Sequence, residues 1–117
     1  MSAPVVELPE RMNAIVDASD GSSYTYAEVL EQVNRTGNAL KELGVRREER
    51  VTLLLFDSPE FVFNFFGAIK IGAVPIPTNT LLRSSDYEYM LNDSRAEVLI
   101  VSKPLLAQIE PIRERLR

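Results

Sequence analysis

FFGAIKIGAVPIPTNTLL, residues 65–82, is the most apolar stretch of a chain whose charges are otherwise spread evenly, and its only charge is Lys70. It can be read as a membrane segment, a phosphate loop or a buried helix feeding a strand. The membrane reading fails on length and polarity. The core run 61–74 contains Asn64 and Lys70 and is shorter than the ~20 residues a bilayer requires. The phosphate-loop reading fails on chemistry. Gly67 and Gly72 have the G-x-x-x-x-G spacing, but Ala73 and Val74 stand where a lysine and a metal-binding hydroxyl are needed. The spacing also falls inside a helical pattern, whereas a phosphate loop precedes its helix. The buried helix–strand unit remains, with Gly67 allowing close helix packing and Gly72 ending the helix.

The rest of the chain alternates in the same way. Residues 1–12, broken by Pro4 and Pro9, read as an irregular arm, and 13–117 as one α/β subdomain. Residues 14–17 and 23–25 flank Asp20-Gly21, the signature of a short hairpin. Thr25 and Glu28 have capping-box spacing. The helix after them carries Val29, Leu30, Val33, Leu40 and Leu43 on one side and stops at Gly44. Residues 46–50, RREER, form a solvated turn, so Glu48 and Glu49 are surface carboxylates rather than catalytic ones. Residues 51–56 are a continuous apolar run that fits a strand covered on both faces. Ser58 and Pro59 suit the N-cap and first turn of a helix running to about 71. Pro75 and Pro77 make 73–77 a short or edge strand. Ser84 or Ser85 caps a helix through Tyr87, Met90 and Leu91, and 97–101 is a further strand. A last amphipathic helix, 105–116, is kinked or split at Glu110 by Pro111. This order predicts an α/β fold with a mostly parallel sheet and flanking helices.

Composition narrows the chemistry. The chain has 117 residues, a net charge of −4, no cysteine and no histidine. Disulfides, thiolate metal sites, cysteine nucleophiles, imidazole bases and His-ligated zinc are excluded within it. The acidic balance argues against nucleic acid as a partner, and no stretch suits a membrane span. MSAPVVELPERM, residues 1–12, has neither the basic nor the apolar region of a secretory leader, so a cytoplasmic setting is expected.

Two functional classes fit these residues. One is a stand-alone phosphoacceptor module of the receiver type or a binding module, with Asp57 at the carboxyl end of a buried strand and Lys103 after a later one. It lacks an acidic pair for magnesium, since Asp17 and Asp20 sit apart in the hairpin. An ordinary turn aspartate before Ser58-Pro59 is the simpler account of Asp57. The other class is one subdomain of a longer enzyme whose chemistry lies elsewhere in the chain.

Several blocks, in order and at fixed spacing, carry a resemblance that supports the second class. They are YTYAE (24–28), NALKELGV (38–45), Arg50-Val51, DSPEF (57–61), FGAIKIGAVPIP (66–77) and SRAEVLIV (94–101). With them the chain resembles, over residues 14–101, the N-terminal segment of the adenylate-forming acyl-CoA synthetases. RREER (46–50), NTLL (79–82) and DYEYML (86–91) make it most similar to the benzoate-CoA ligase branch. The resemblance implies a fold that is part of the large N-terminal domain. It also implies a parent enzyme using ATP, Mg2+ and coenzyme A. ATP would convert an aromatic carboxylate, benzoate or a derivative, into an acyl-adenylate with loss of pyrophosphate, and the CoA thiol would then displace AMP.

The family's phosphate loop, acidic ATP and metal residues, aromatic pocket and catalytic lysine have no counterpart in the 117 residues. The resemblance therefore assigns no catalytic and no metal-binding residue here. It points to Arg83 alone, the basic residue nearest the loop that approaches the CoA nucleotide phosphates in relatives. The remainder of the enzyme's own chain is the expected partner. The isolated segment is expected to be inactive, to bind no cofactor tightly and to self-associate through an uncovered apolar patch.

Overall fold

A computed structural model describes residues 13–116; the arm at 1–12 lies outside the described residues. β1 (Asn13–Val16) and β2 (Ser23–Thr25) form an antiparallel hairpin of their own. The turn is built from side chains that mimic backbone. Asp17 accepts from the amide and hydroxyl of Ser19 at 2.9 and 2.6 Å, and Asp20 accepts from the amide of Ser22 at 2.8 Å. The hydroxyl and amide of Ser22 hold the Asp20 carboxyl below its ordinary pKa. A depressed carboxylate supports the fold above its ordinary titration range. That support is lost only as pH falls through the lower, folded value.

α1 (Tyr26–Glu42) starts at the expected capping box, with Thr25 and Glu28 exchanging side-chain-to-amide bonds at 3.2 Å. It ends in a Schellman turn. Gly44 takes φ +94°, its N–H donates to the Lys41 carbonyl at 3.0 Å, and Val45 N–H reaches the Leu40 carbonyl at 3.1 Å. α2 (Pro59–Lys70) ends identically, with Gly72 at φ +81°, Gly72 N–H on Ile69 and Ala73 N–H on Ala68. In both turns the residues that close the motif, Leu40 with Val45 and Ala68 with Ala73, are core residues. Chain reversal and core entry are thus one event.

β3 (Arg50–Leu54), β4 (Val74–Pro77) and β5 (Val98–Val101) form a parallel sheet in the order β4-β3-β5. β3 is central, and residues 51–55 are buried, as the apolar run predicts. Val51, Leu53 and Leu55 join α1 and α2 in one core, which also receives Val98 and Ile100. Leu54 joins a second core on the opposite face, built from Tyr87 and Leu91 of α3 (Ser84–Ser94), Leu105, Ile109 of α4 (Leu106–Ile109) and Ile112. Leu99 and Val101 pack there. The fold is therefore three layers, with α1 and α2 on one side and α3 and α4 on the other.

α1 and α2 meet at a pair of glycines. A Cβ on Gly67 would lie 3.1 Å from the Gly37 nitrogen and from the Thr36 side chain, and one on Gly37 would lie 3.2 Å from the Gly67 carbonyl oxygen. The packing role expected of Gly67 is realised, with Gly37 as its counterpart.

Three local expectations need correction. Leu30 and Leu43 are exposed, 55 % and 66 %. They lie toward the ends of a 17-residue helix whose partner has 12 residues. Ser58 occupies the N-cap of α2 but makes no cap bond; its hydroxyl donates to the Phe56 carbonyl at 3.2 Å. α3 is capped by neither serine. Arg83 is its N-cap residue, and Asp86 accepts the Arg83 N–H at 3.1 Å. Beyond β5 the helix is split at Glu110, one of the two outcomes expected of Pro111. A 3-10 turn (Lys103–Leu105) and α4 give way at Glu110 to a second 3-10 stretch (Glu110–Arg115), because Pro111 has no N–H to continue an α-helix.

Candidate functional site

In open parallel sheets, ligands settle outside the carboxyl ends of strands where successive connections leave on opposite faces. Here that point lies between β3, whose chain departs into α2 on the first face, and β5, whose chain departs toward α4 on the second. Phe56, Asp57 and Ser58 come from one side, Ser102 and Lys103 from the other. The base of this crevice is laced shut. Ser102 Oγ accepts the Phe56 N–H at 3.1 Å, and Ser102 N–H donates to the Leu54 carbonyl at 3.0 Å. Asp57 and Lys103 are both exposed at its mouth.

The open space lies one strand over. A hollow of about 440 Å³ sits at the carboxyl ends of β3 and β4, lined by Phe56, Asp57, Phe61, Pro77, Asn79 and Thr80 among others. Its outer wall, the 78–82 loop, is rigidly placed. Thr78 N–H donates to the Leu53 carbonyl at 3.0 Å and Asn79 Oδ1 accepts the Leu81 N–H at 2.9 Å. The hydroxyl of Tyr87 donates to the Asn79 carbonyl at 2.8 Å and accepts the Leu82 N–H at 3.1 Å. Tyr87 itself is 1 % exposed, so the loop is anchored to the second core. A larger hollow of about 520 Å³ on the outer surface of α3 is lined by residues of that helix and its cap, Ser85 to Arg95. It does not adjoin the strand ends.

Arg83 stands three residues past Thr80. Its backbone is fixed, since its carbonyl accepts from Asp86 and Tyr87 at 3.0 and 3.2 Å. The residue is exposed and forms no ion pair among the described residues. Glu49 lies at the amino end of β3, away from this face, and is engaged locally: it accepts the Arg46 N–H at 2.6 Å. Among the described residues no three of Asp, Glu, His and Cys converge to hold a metal. The residues present do not fit a magnesium or ATP phosphate site.

Two members of this site carried no signal in the sequence. Ser102 pairs with a residue 46 positions away. Tyr87 is an ordinary core aromatic by spacing, and only the rule that a buried tyrosine hydroxyl needs a partner marks it.

The arrangement defines a class, an α/β scaffold with an open hollow at the carboxyl ends of its parallel strands. The receiver reading fails. The acidic residues it required, Asp17 and Asp20, are used up in the turn of a separate antiparallel hairpin, and among the described residues no acid cluster faces Asp57.

Comparison with known proteins gives the family. Residues 5–117 match the model of the AMP-binding enzyme family, and the chain belongs to it. The match extends the resemblance beyond 14–101 in both directions. The benzoate–CoA ligase of Thauera aromatica is 43 % identical over 93 % of this chain. Among solved structures, the anthranilate CoA ligase AuaEII in complex with anthranoyl-AMP superposes with a TM-score of 0.87, at 45 % identity over 92 % of this chain. The N-terminal domain of FACL13 from Mycobacterium tuberculosis gives 0.85 at 38 % identity over 88 %. The chain spans 24 % of the benzoate ligase, 20 % of AuaEII and 26 % of the FACL13 N-terminal domain. No helix among the described residues is long and apolar enough to cross a membrane.

Proposed function

We propose that this chain is the N-terminal part of a longer ATP-dependent acid–CoA ligase acting on an aromatic carboxylate, benzoate or a derivative. The observation that carries the reading is the identity, 43 % and 45 % across more than nine-tenths of the chain, to ligases named for benzoate and anthranilate. A carboxylate is a poor electrophile. Transfer of AMP from ATP to its oxygen releases pyrophosphate and creates a leaving group. The CoA thiol, losing its proton, then forms the thioester and expels AMP. Enzymes of this family use Mg2+ to offset charge on the phosphates.

The segment's part in this chemistry is structural, with residues 13–117 as one subdomain of the N-terminal domain. Expressed in its full reading frame, the protein should form AMP from ATP and CoA with benzoate or a substituted benzoate. Residues 1–117 alone should form none. Failure of the longer protein with every carboxylate of an aromatic and aliphatic panel overturns the reading; AMP formation with aliphatic acids alone overturns the substrate class. The isolated segment should also self-associate, because Phe66 and Ile69 of α2 are about half exposed, 51 % and 48 %. A monomer in light scattering at high concentration would refute this.

Arg83 is proposed to meet the CoA nucleotide phosphates. Its exposure, its fixed backbone and the lack of an ion pair among the described residues support that role. In the longer enzyme, Arg83→Ala should raise the KM for CoA about tenfold, equivalent to ~1.4 kcal/mol, and leave benzoate-dependent pyrophosphate release unchanged. An unaltered KM for CoA removes Arg83 from the site.

A further inference from the structure

A separate hollow, of about 370 Å³, opens between α1 and α2 and is lined by Asn34, Gly37, Asn38, Lys41, Lys70 and Ile71. Lys41 and Lys70 occupy the last turns of helices that lead into β3 and β4. The hollow therefore lies toward the amino ends of the strands, at the opposite end from the one beside Asp57. Asn34, Asn38 and Lys41 follow one another at i, i+4 and i+7, so α1 presents them along one stripe. Gly37 is buried among them and has no side chain, which opens space against the backbone of α1.

The polar groups of this hollow have donors to spare. Lys70 reaches across to α1, where its Nζ donates to Asn34 Oδ1. An ammonium can only donate, so this contact orients the amide and leaves Asn34 Nδ2 with both its N–H groups. Among the described residues, neither those groups, nor the Asn38 amide, nor the Lys41 ammonium has a partner. No carboxylate lines the hollow. Glu31, one turn before Asn34, is held by Arg35 at 2.7 Å.

Lysines in a last turn ordinarily complement the negative end of a helix. Here those carbonyls already have backbone partners. Ala39, Leu40 and Lys41 accept from the N–H groups of Leu43, Val45 and Gly44, and Gly67, Ala68 and Ile69 accept from Ile71, Ala73 and Gly72. Two ammonium groups thus face a shared hollow with no carboxylate, in a chain whose net charge is −4.

We propose that the hollow between α1 and α2 binds a small inorganic phosphate, phosphate or diphosphate, through the Lys41 and Lys70 ammonium groups and the Asn34 and Asn38 amides. Lysine serves phosphate as a point charge, and bonds to an ionised acceptor are about twice as strong as neutral ones. Two ammonium charges match a dianion. No aromatic ring lines the hollow to stack a base, which favours a free anion over a nucleotide. The inference does not depend on the ligase reading.

The test is lysine labelling of the protein in its full reading frame by an amine-acetylating reagent, read residue by residue by mass spectrometry. The probes are inorganic phosphate and diphosphate. Sodium chloride at matched ionic strength is the reference, because salt alone screens exposed charge. Labelling at Lys41 and Lys70 should fall together, about tenfold once the free anion exceeds its dissociation constant about tenfold. Exposed Lys103 should stay unchanged. Lys41→Gln should abolish the protection of Lys70 and Lys41→Arg should keep it, an interdependence that two unrelated surface lysines lack. The proposal is overturned by absent protection, by an equal fall at Lys103, or by protection of Lys70 that survives Lys41→Gln. Protection by AMP where both inorganic anions fail overturns it as well.

Discussion

Leucine at position 67 should destabilise the protein by about 3 kcal/mol or more, at the upper end of what overpacking a close contact costs. Glycine in mid-helix is ordinarily a weakness, and alanine in its place gains roughly 0.5–1 kcal/mol. Here the first added carbon already meets the Gly37 nitrogen and the Thr36 side chain at 3.1 Å. Two of its three nearest contacts lie on a β-branched side chain of α1, and one is backbone, so relief requires the helices to separate. Separation lifts Ala68, 0 % exposed, and Leu40, 1 % exposed, away from Val51 and Leu53. Alanine should lose less than leucine, because its propensity gain offsets part of the clash. The order glycine, alanine, leucine in the urea midpoint is the measurement. A leucine variant as stable as the parent would show that α1 and α2 are not held at this separation.

Tyr87→Phe removes one oxygen and should cost about 1–3 kcal/mol, the penalty for stranding buried polar groups. The ring still fills its place in the second core. What is lost is the hydroxyl link between that core and the 79–82 backbone, where the Asn79 carbonyl and the Leu82 N–H share the hydroxyl. Local consequences should exceed the global one. The Leu82 amide should exchange much faster, while amides in β3 change little. In the longer enzyme this variant should weaken whatever contacts the loop without touching a reacting group. Unchanged exchange at Leu82 would mean that the loop is held by its own Asx turn at Asn79 and not by the tyrosine.

Much of the architecture was legible because its signals are local. The capping box at Thr25, the stops at Gly44 and Gly72, the apolar run of β3 and the break at Pro111 each depend on residues within a few positions. Edge placement of β4 was legible for the same reason, since proline carries its restriction with it. The misread positions depend on distance. Leu30 and Leu43 match a helical stripe, but burial depends on how far the partner helix reaches. Ser58 and Ser84 have the side chains of caps, yet Ser58 bonds backward and Ser84 lies one residue inside the helix, behind Arg83. The site was less legible than the fold. Asp57 was visible as a strand-end residue, but the hollow beside it, the Tyr87 anchor and the Ser102 bond to Phe56 join segments between 8 and 46 residues apart. No periodicity encodes such pairs.

The prolines of β4 matter before the protein is complete. Residues 74–77 are made early, and a nascent sheet with two open edges can recruit neighbouring chains from either side. Val74 and Thr78 donate to β3, so Pro75 and Pro77 turn outward and that side cannot act as a template. The growing sheet therefore has one flank that its own residues close to recruitment.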